Sequence, residues 1–308
     1  MQSTSIKFPA LFLTCFFLWL SPVASAQDIE PRRWTALPVG LNVLGFGYIY
    51  TTGDIAFDPL LEIEDATLDM QTVIATYAHS FGFFGRSARV DLIVPWQHGH
   101  WEGLLQGAPA EAKRVGLDDP LVRLSVNLYG APALDPKEFK QRAAEQPVNT
   151  IVGAAVAVGV PLGDYLEDKL LNLGQNRFII RPQIGVLHTR GKWSFELTGS
   201  TYFFTDNDEF WDGNTLEQDP IGALQAHIVH VFKPGLWLSL SAAYGWRGET
   251  SVNGVPSDND KSDVLAALSV GIPLTPKQGI KLVYLRSETQ RFTGADLDSF
   301  GLVWSTFF

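Results

Sequence analysis

Along most of this chain apolar and polar side chains take turns, and no other feature restricts its fold as much. A period of two is the period of a β-strand, whose successive side chains point to opposite faces. Val122, Leu124, Val126 and Leu128 share one face, and Arg123, Ser125, Asn127 and Tyr129 share the other. Trp193, Phe195, Leu197 and Phe203 oppose Ser194, Glu196, Thr198 and Ser200 in the same way. Leu236, Leu238, Leu240, Tyr244 and Trp246 oppose Trp237, Ser239, Ser241 and Arg247. Near the C-terminus Phe300, Leu302, Trp304 and Phe308 oppose Gly301, Val303 and Ser305. Twelve such segments can be marked, at 41–52, 70–83, 86–98, 119–130, 149–161, 176–189, 192–205, 220–232, 235–248, 263–273, 279–290 and 297–308. Alternation is weak in 149–161, and in 279–290 Arg286 and Glu288 share a face with Leu282 and Tyr284. One stretch, 135–145, reads as a helix instead, with Pro136 in its first turn.

The connections between these segments alternate in length. Tight links occur at Phe84-Gly85, Arg190-Gly191, Lys233-Pro234 and Thr275-Pro276-Lys277. Long ones occur at 53–69, 99–118, 162–175, 206–219, 249–262 and 291–296, and the helical piece near 131–148 is the exception among the tight set. An even number of strands with long loops on one side and tight turns on the other predicts an all-β fold, a transmembrane antiparallel up-and-down β-barrel of about 12 strands. Closure follows from the backbone, because in hydrocarbon every N–H and C=O must be paired and an open sheet leaves two edges bare. A soluble β-sandwich also uses period-two strands. It gives no reason for the loop alternation, nor for so many aromatics near strand ends on the apolar face: Tyr48, Tyr50, Tyr77, Phe81, Phe83, Trp96, Trp193, Phe203, Phe232, Tyr244 and Trp246.

Residues 1–26 carry Lys7, an apolar run from Phe8 to Leu20 and the small residues Ala24-Ser25-Ala26, which together predict a cleaved signal peptide. The run is shorter than the roughly 20 residues that span a bilayer, and Cys15 sits inside it, unlike a lipid-acceptor cysteine. Removing it leaves 22 Lys and Arg against 33 Asp and Glu, a net charge of −11, and no cysteine. Disulfides and thiolate metal centres are thereby excluded, and the acidic balance argues against nucleic acid as a partner. The expected organisation is a signal peptide over 1–26, a short periplasmic segment over 27–38 and the barrel over 39–308. The short segment, with Arg32, Arg33 and Trp34, could instead tuck into the lumen and narrow it. No stretch of about 18 uncharged apolar residues follows the signal.

Arg32-Arg33-Trp34-Thr35 leads into LPVGLNVLGFGYIYTTGDIAFDP, and later come GLDDPLVRLSVNLYGAPAL (116–134), NLGQNRFIIRPQIGVLHTRGKWSFELTGS (172–200) and QDPIGALQAH (218–227). Together these resemble a family of bacterial outer-membrane proteins described as transporters of the MetA pathway of phenol degradation. The resemblance runs from about Arg32 to Phe308. It implies an outer-membrane barrel of a Gram-negative bacterium, linked by name to uptake of aromatic compounds, and it carries over no individual residue.

If the aromatic face meets lipid, the opposite face lines the lumen. The candidate solute-pathway residues are then Arg89, Asp91, Arg123, Asn127, Arg181, Gln183, Glu196, Gln225, His227 and Arg247. Gln97, Ser125 and Thr198 share their face, and Arg286 and Glu288 are weaker members. Such charges either cross-link the wall or set a field, and Arg89, Arg123, Arg181 and Arg247 could guide an anionic solute. The loops are acidic, with clusters at Asp54, Asp58, Glu62, Glu64, Asp65 and Asp69 and again over 206–219. They keep the surface wet, or bridge through divalent cations to lipopolysaccharide phosphates. His98 and His100 resemble a metal pair but read as having no third ligand nearby, so no metal or cofactor is expected. A barrel lipid hydrolase would place Ser and His on the outer wall, but Ser200 and Ser241 fall on the inward face and no GxSxG or HExxH occurs. The reading is therefore a non-enzymatic channel or transporter for passive uptake of small molecules, aromatic ones among them; the alternatives are the lipid hydrolase and a non-conducting structural or adhesion barrel. Its expected partners are outer-membrane lipids, lipopolysaccharide, a small-molecule solute and, through the terminal Phe308, the barrel-assembly machinery.

Overall fold

The computed structural model describes residues 29–57, 62–146, 148–246, 248–257, 259–260, 262–290 and 294–308. The expected signal peptide, Arg247 and Asp58 lie outside them. The described strands run in chain order as β1 (Asn42–Ala56), β2 (Ile63–Phe83), β3 (Arg86–Leu105), β4 (Ala108–Leu117), β5 (Leu121–Tyr129), β6 (Val148–Gly159), β7 (Ile179–Arg190), β8 (Trp193–Phe204), β9 (Asn207–Phe210), β10 (Asn214–Gln218), β11 (Ile221–Lys233), β12 (Leu236–Trp246), β13 (Thr250–Val252), β14 (Val255–Pro256), β15 (Ser262–Thr275), β16 (Gln278–Thr289) and β17 (Gly294–Phe307). A single helix among the described residues, α1 (Pro136–Glu145), joins β5 to β6.

Twelve of these strands close into an antiparallel barrel, in the order β1, β2, β3, β5, β6, β7, β8, β11, β12, β15, β16, β17. The seam is β17 on β1, paired without interruption from Val43↔Phe307 to Ala56↔Gly294. Asn42 and Phe308 exchange two backbone hydrogen bonds, of 2.9 and 3.0 Å, at its end. Each of the twelve segments expected from the alternation overlaps one barrel strand, with β1, β2 and β3 running on into stretches expected to be loops. Closure leaves no unpaired edge in the hydrocarbon layer.

The alternation sorts the two faces as expected. On β8, Phe195 is 47% exposed and Leu197 50%, whereas Glu196 between them is 4% exposed. Trp193 and Phe203, ten residues apart on this strand, mark the two outward aromatic levels. At about 3.3 Å per residue and a tilt of about 40° they stand roughly 25 Å apart along the barrel axis, which matches an outer-membrane hydrocarbon layer.

Tight turns gather at one end, the periplasmic end in barrels of this kind. In the β2–β3 hairpin Phe84 (φ 45°) and Gly85 (φ 73°) both have positive φ, as a two-residue turn matched to the strand twist requires. Helix α1 lies at this same end. Its N-cap Asp135 accepts from the amides of Lys137 and Glu138, and Glu138 reaches back to the Asp135 amide, a capping box.

At the other end the loops hold more structure than the alternation suggests. Strand β4 pairs with the outer half of β3, from Trp96↔Leu117 to Leu105↔Ala108, so that hairpin rises beyond the barrel. Strands β9, β10, β13 and β14 form a separate four-stranded sheet. These pieces fall inside the connections 99–118, 206–219 and 249–262, expected to be loops. They are short or have no lipid-facing side, so no apolar alternation betrays them. Arg286 and Glu288 also depart from expectation. They lie partly exposed on the outer face with Tyr284, and Arg286 pairs with Glu288 (3.2 Å) and with Asp298 of β17 (2.8 Å). Near the outer mouth a strand leaves the hydrocarbon, so charge on its outer face costs little.

Candidate functional site: the barrel lumen

Arg89, Asp91, Arg123, Asn127, Arg181, Gln183, Glu196, Gln225 and His227 all project from the wall into the interior, largely removed from solvent. Arg247 is outside the described residues.

The segment before β1 fills the periplasmic half of this interior. Trp34 is 1% exposed and packs with Ala131, Ile151, Ala155 and Leu187. Its indole N–H donates to Thr198 Oγ1 at 2.8 Å. Two inward-facing glycines make its slot: a Cβ on Gly153 would lie 2.1 Å from the indole ring, and one on Gly185 would lie 2.1 Å from Nε1. The Arg32 amide donates to Glu196 Oε2 at 2.7 Å, and the Arg32 guanidinium lies 5.5 Å from the centre of the Trp237 ring. At the base Ser80 N donates to Leu41 O, and Gly40 N to Ser80 O.

An ionic cluster joins this segment to the wall. Adjacent strands β3 and β5 place Asp91 opposite Arg123. Asp91 takes Arg89 Nε at 2.9 Å and Arg123 Nε at 3.1 Å. Glu30 then accepts from both terminal nitrogens of Arg123, at 2.8 and 3.2 Å, and lies 3.5 Å from Arg33 and 3.9 Å from Arg89. Arg33 also donates to Ser125 Oγ at 3.1 Å. Burial alone would raise the Glu30 carboxyl, but Arg123, Arg33 and Arg89 outweigh it and hold it well below the usual carboxylate range. Counting Arg32 and Arg181, the middle of the lumen carries, among the described residues, five arginines against the three carboxylates Glu30, Asp91 and Glu196.

The remaining wall is polar and made of small side chains. His227 Nδ1 lies 2.8 Å from Ser241 Oγ, which contacts Ser239 Oγ at 3.2 Å. Arg181 donates to the Tyr202 hydroxyl at 2.9 Å. Gln183 faces Ser200 across β7 and β8. Among the described residues Gln183 Oε1, Glu196 Oε1, Ser200 Oγ and Ser269 Oγ are buried with no hydrogen-bond partner. These atoms offer hydrogen-bonding capacity to a solute or water in the lumen.

The β6–β7 connection, residues 160–178, folds inward across the outer mouth. Leu171 and Leu173 pack against Leu68, Met70, Trp101 and Leu297 on the far wall, and Arg114 Nε donates to Leu171 O at 2.8 Å. Asp119 fastens the loop's two ends by accepting from Gly163 N (2.9 Å) and Gln175 N (2.8 Å). Its burial raises its pKa against the lowering effect of those amides. Neither Glu30 nor the loop leucines stand out in the sequence, because lumen contacts made by irregular segments have no period.

The histidine pair also differs from expectation. His100 has two carboxylates at hand, Glu102 (3.3 Å) two residues further along β3 and Glu111 (3.2 Å) from the hairpin partner β4. Lys113 also pairs with Glu111 at 2.9 Å, and all four side chains are open to solvent or nearly so. Ser200 and Ser241 are inside the barrel, whereas His230 stacks outside between Trp193 and Phe232 and His188 bonds Thr150.

A family model described as "Putative MetA-pathway of phenol degradation" matches residues 42–299. Among solved structures, the COG4313 outer membrane channel from Pseudomonas putida F1 is similar, with a TM-score of 0.75 and 21% identity over 91% of this chain and 100% of that one. The translocator domain of the autotransporter NalP from Neisseria meningitidis gives a TM-score of 0.48 and 10% identity, over 89% of this chain and 90% of that one. The transport unit of the autotransporter AIDA-I from Escherichia coli gives 0.48 and 9%, over 92% and 93%. No curated protein matches the sequence.

Proposed function

The chain belongs to the family of the MetA pathway of phenol degradation, and from that premise we propose that it is a passive outer-membrane channel for small solutes, aromatic acids and related phenolic compounds foremost. The observation that carries this reading is the lumen itself. It is polar, carries at its middle more arginines than carboxylates among the described residues, and is narrowed by one short segment and one loop. Such a field favours anions at a constriction, and the unpartnered oxygens of Gln183, Glu196 and Ser200 suit hydroxyl donors on a ring. The similar COG4313 protein is itself described as an outer membrane channel.

The same reading assigns the other roles. The outward aromatic belts face membrane lipid, the acidic loops meet lipopolysaccharide, and Phe308 on the closing strand is the mark read by the assembly machinery. No step of hydrolysis is assigned: Ser200 and the outward histidines sit on opposite faces, and the one inward pair described, His227 with Ser241, faces the lumen rather than lipid.

Permeability of vesicles reconstituted with the protein tests the proposal. The panel is benzoate, phenol, a neutral sugar of similar size and a cationic aromatic amine. Faster entry of benzoate and phenol than of the sugar and the amine is expected. Equal entry of all four, or none, overturns it. Release of fatty acid from the vesicle phospholipid would favour the hydrolase instead.

A further inference from the structure

A groove of about 500 Å³ opens at the periplasmic rim, between the barrel wall and α1. Arg86, from the start of β3, and Arg142, from the last turn of α1, both line it. Neither guanidinium has an ion-pair or hydrogen-bond partner among the described residues, in a chain where the lumen arginines are tied down. The capping box of α1 and the bridge between Arg86 and Pro132 hold the two sides of the groove in place. Its outer lip is apolar and lies on the lipid-facing surface: Tyr129, expected on the face of Arg123 and Asn127 but turned outward opposite Val152 by a bulge after Asn127, is 63% exposed, and Val148 53%. Thr150 adds a hydroxyl already engaged with His188 on that outer face. Arg190 stands opposite Val148 on the neighbouring strand and adds positive charge beside the lip.

We propose that this groove binds the headgroup of an anionic phospholipid of the periplasmic leaflet. Arg86 and Arg142 take the phosphodiester oxygens, and the acyl chains run along Val148 and Tyr129 toward the hydrocarbon. The sign of the charge selects this occupant. The rim is basic, whereas the loops at the opposite end are rich in Asp and Glu, so the two ends of the barrel suit different surfaces. A guanidinium beside phosphate forms charge-assisted, often bidentate hydrogen bonds, and basic side chains at a leaflet surface attract anionic lipid. The lip explains why a lipid fits better than a soluble phosphate, since two exposed apolar side chains border the arginines at the level of the aromatic belt formed by Phe83, Trp193 and Phe232.

Native mass spectrometry of the full chain, released from nanodiscs of mixed phosphatidylglycerol and phosphatidylethanolamine, tests this. The chains compared are wild type, R86Q/R142Q, R142Q alone, and the control K233Q/K277Q, whose lysines lie at other tight turns. Heat-modifiable migration on gels establishes that each barrel is closed, and R142Q, altered only in the helix, serves if the double variant does not fold. Wild type and control are expected to retain phosphatidylglycerol in preference to phosphatidylethanolamine. The double variant should retain it roughly tenfold less or weaker still, and R142Q should fall between. Equal retention by all four chains, or no preference between the lipids, overturns the proposal. Displacement of the bound lipid by millimolar glycerol phosphate also overturns it, because the site would then recognise free phosphate.

Discussion

Replacing Trp34 by alanine should open the barrel from its periplasmic side. The indole is almost fully buried, fills a slot formed by Gly153 and Gly185, and donates a 2.8 Å hydrogen bond to Thr198. Deleting a buried tryptophan side chain costs about 3–5 kcal/mol, and the lost hydrogen bond adds about 1 kcal/mol. The released segment enters a wet lumen, where part of that loss is recovered, so about 4 kcal/mol is a fair net figure. At 1.4 kcal/mol per factor of ten, the balance between docked and undocked segment moves close to a thousandfold. The ion pairs of Glu30, the Arg33–Ser125 hydrogen bond and the contacts of Arg32 with Glu196 and Trp237 then remain to hold the segment. Single-channel conductance in planar bilayers, and cleavage of residues 29–40 by a protease added from the periplasmic side, are the readouts. Both should rise in Trp34→Ala while the barrel keeps its heat-modifiable migration. The reciprocal change, Gly153→Val, keeps the indole but fills its slot, where even a Cβ would meet the ring at 2.1 Å, and it should give the same result. If both variants conduct as wild type and stay protected, the segment is not held by this tryptophan and the reasoning is refuted.

The Glu30 carboxyl titrates below its ordinary value of 4.5 because the docked state favours its charged form. Its contribution to docking is therefore full above that ordinary value and is lost as the pH falls through the depressed one. Conductance should increase as wild type is acidified, and Glu30→Gln should conduct more at neutral pH with a flatter acid response; an unchanged acid response in the variant counts against this. Arg123→Ala removes the guanidinium that joins Glu30 to Asp91 and should move the reversal potential in a salt gradient toward cation preference. Replacing both Leu171 and Leu173 by aspartate should lift the inward loop from Leu68, Met70 and Trp101, raising conductance without changing the periplasmic protease pattern. Conductance equal to wild type would mean that this loop does not narrow the pathway.

Much of the barrel was legible in the alternation, since each apolar residue on the outer face meets lipid whatever lies across the barrel from it. Trp193, Phe195 and Leu197 announce their face without reference to any other strand. The same logic located Arg123, Glu196 and His227 inside, because the face opposite a lipid-facing one has nowhere else to point. Where a strand passes the membrane surface that logic lapses, and Arg286 and Glu288 could be placed only once Asp298 was seen beside them.

By itself, then, the order of residues along the chain determined the number of barrel strands, their inward and outward faces, and the end at which the turns are tight. These are local consequences of a period of two in a medium that tolerates no unpaired backbone. Tertiary structure alone decided what occupies the lumen. The partnership of Glu30 with Arg123 spans 93 positions and that of Trp34 with Thr198 spans 164. Neither has a periodic signature, because irregular segments meet the wall wherever its small side chains leave room, and that room exists only after the sheet has closed.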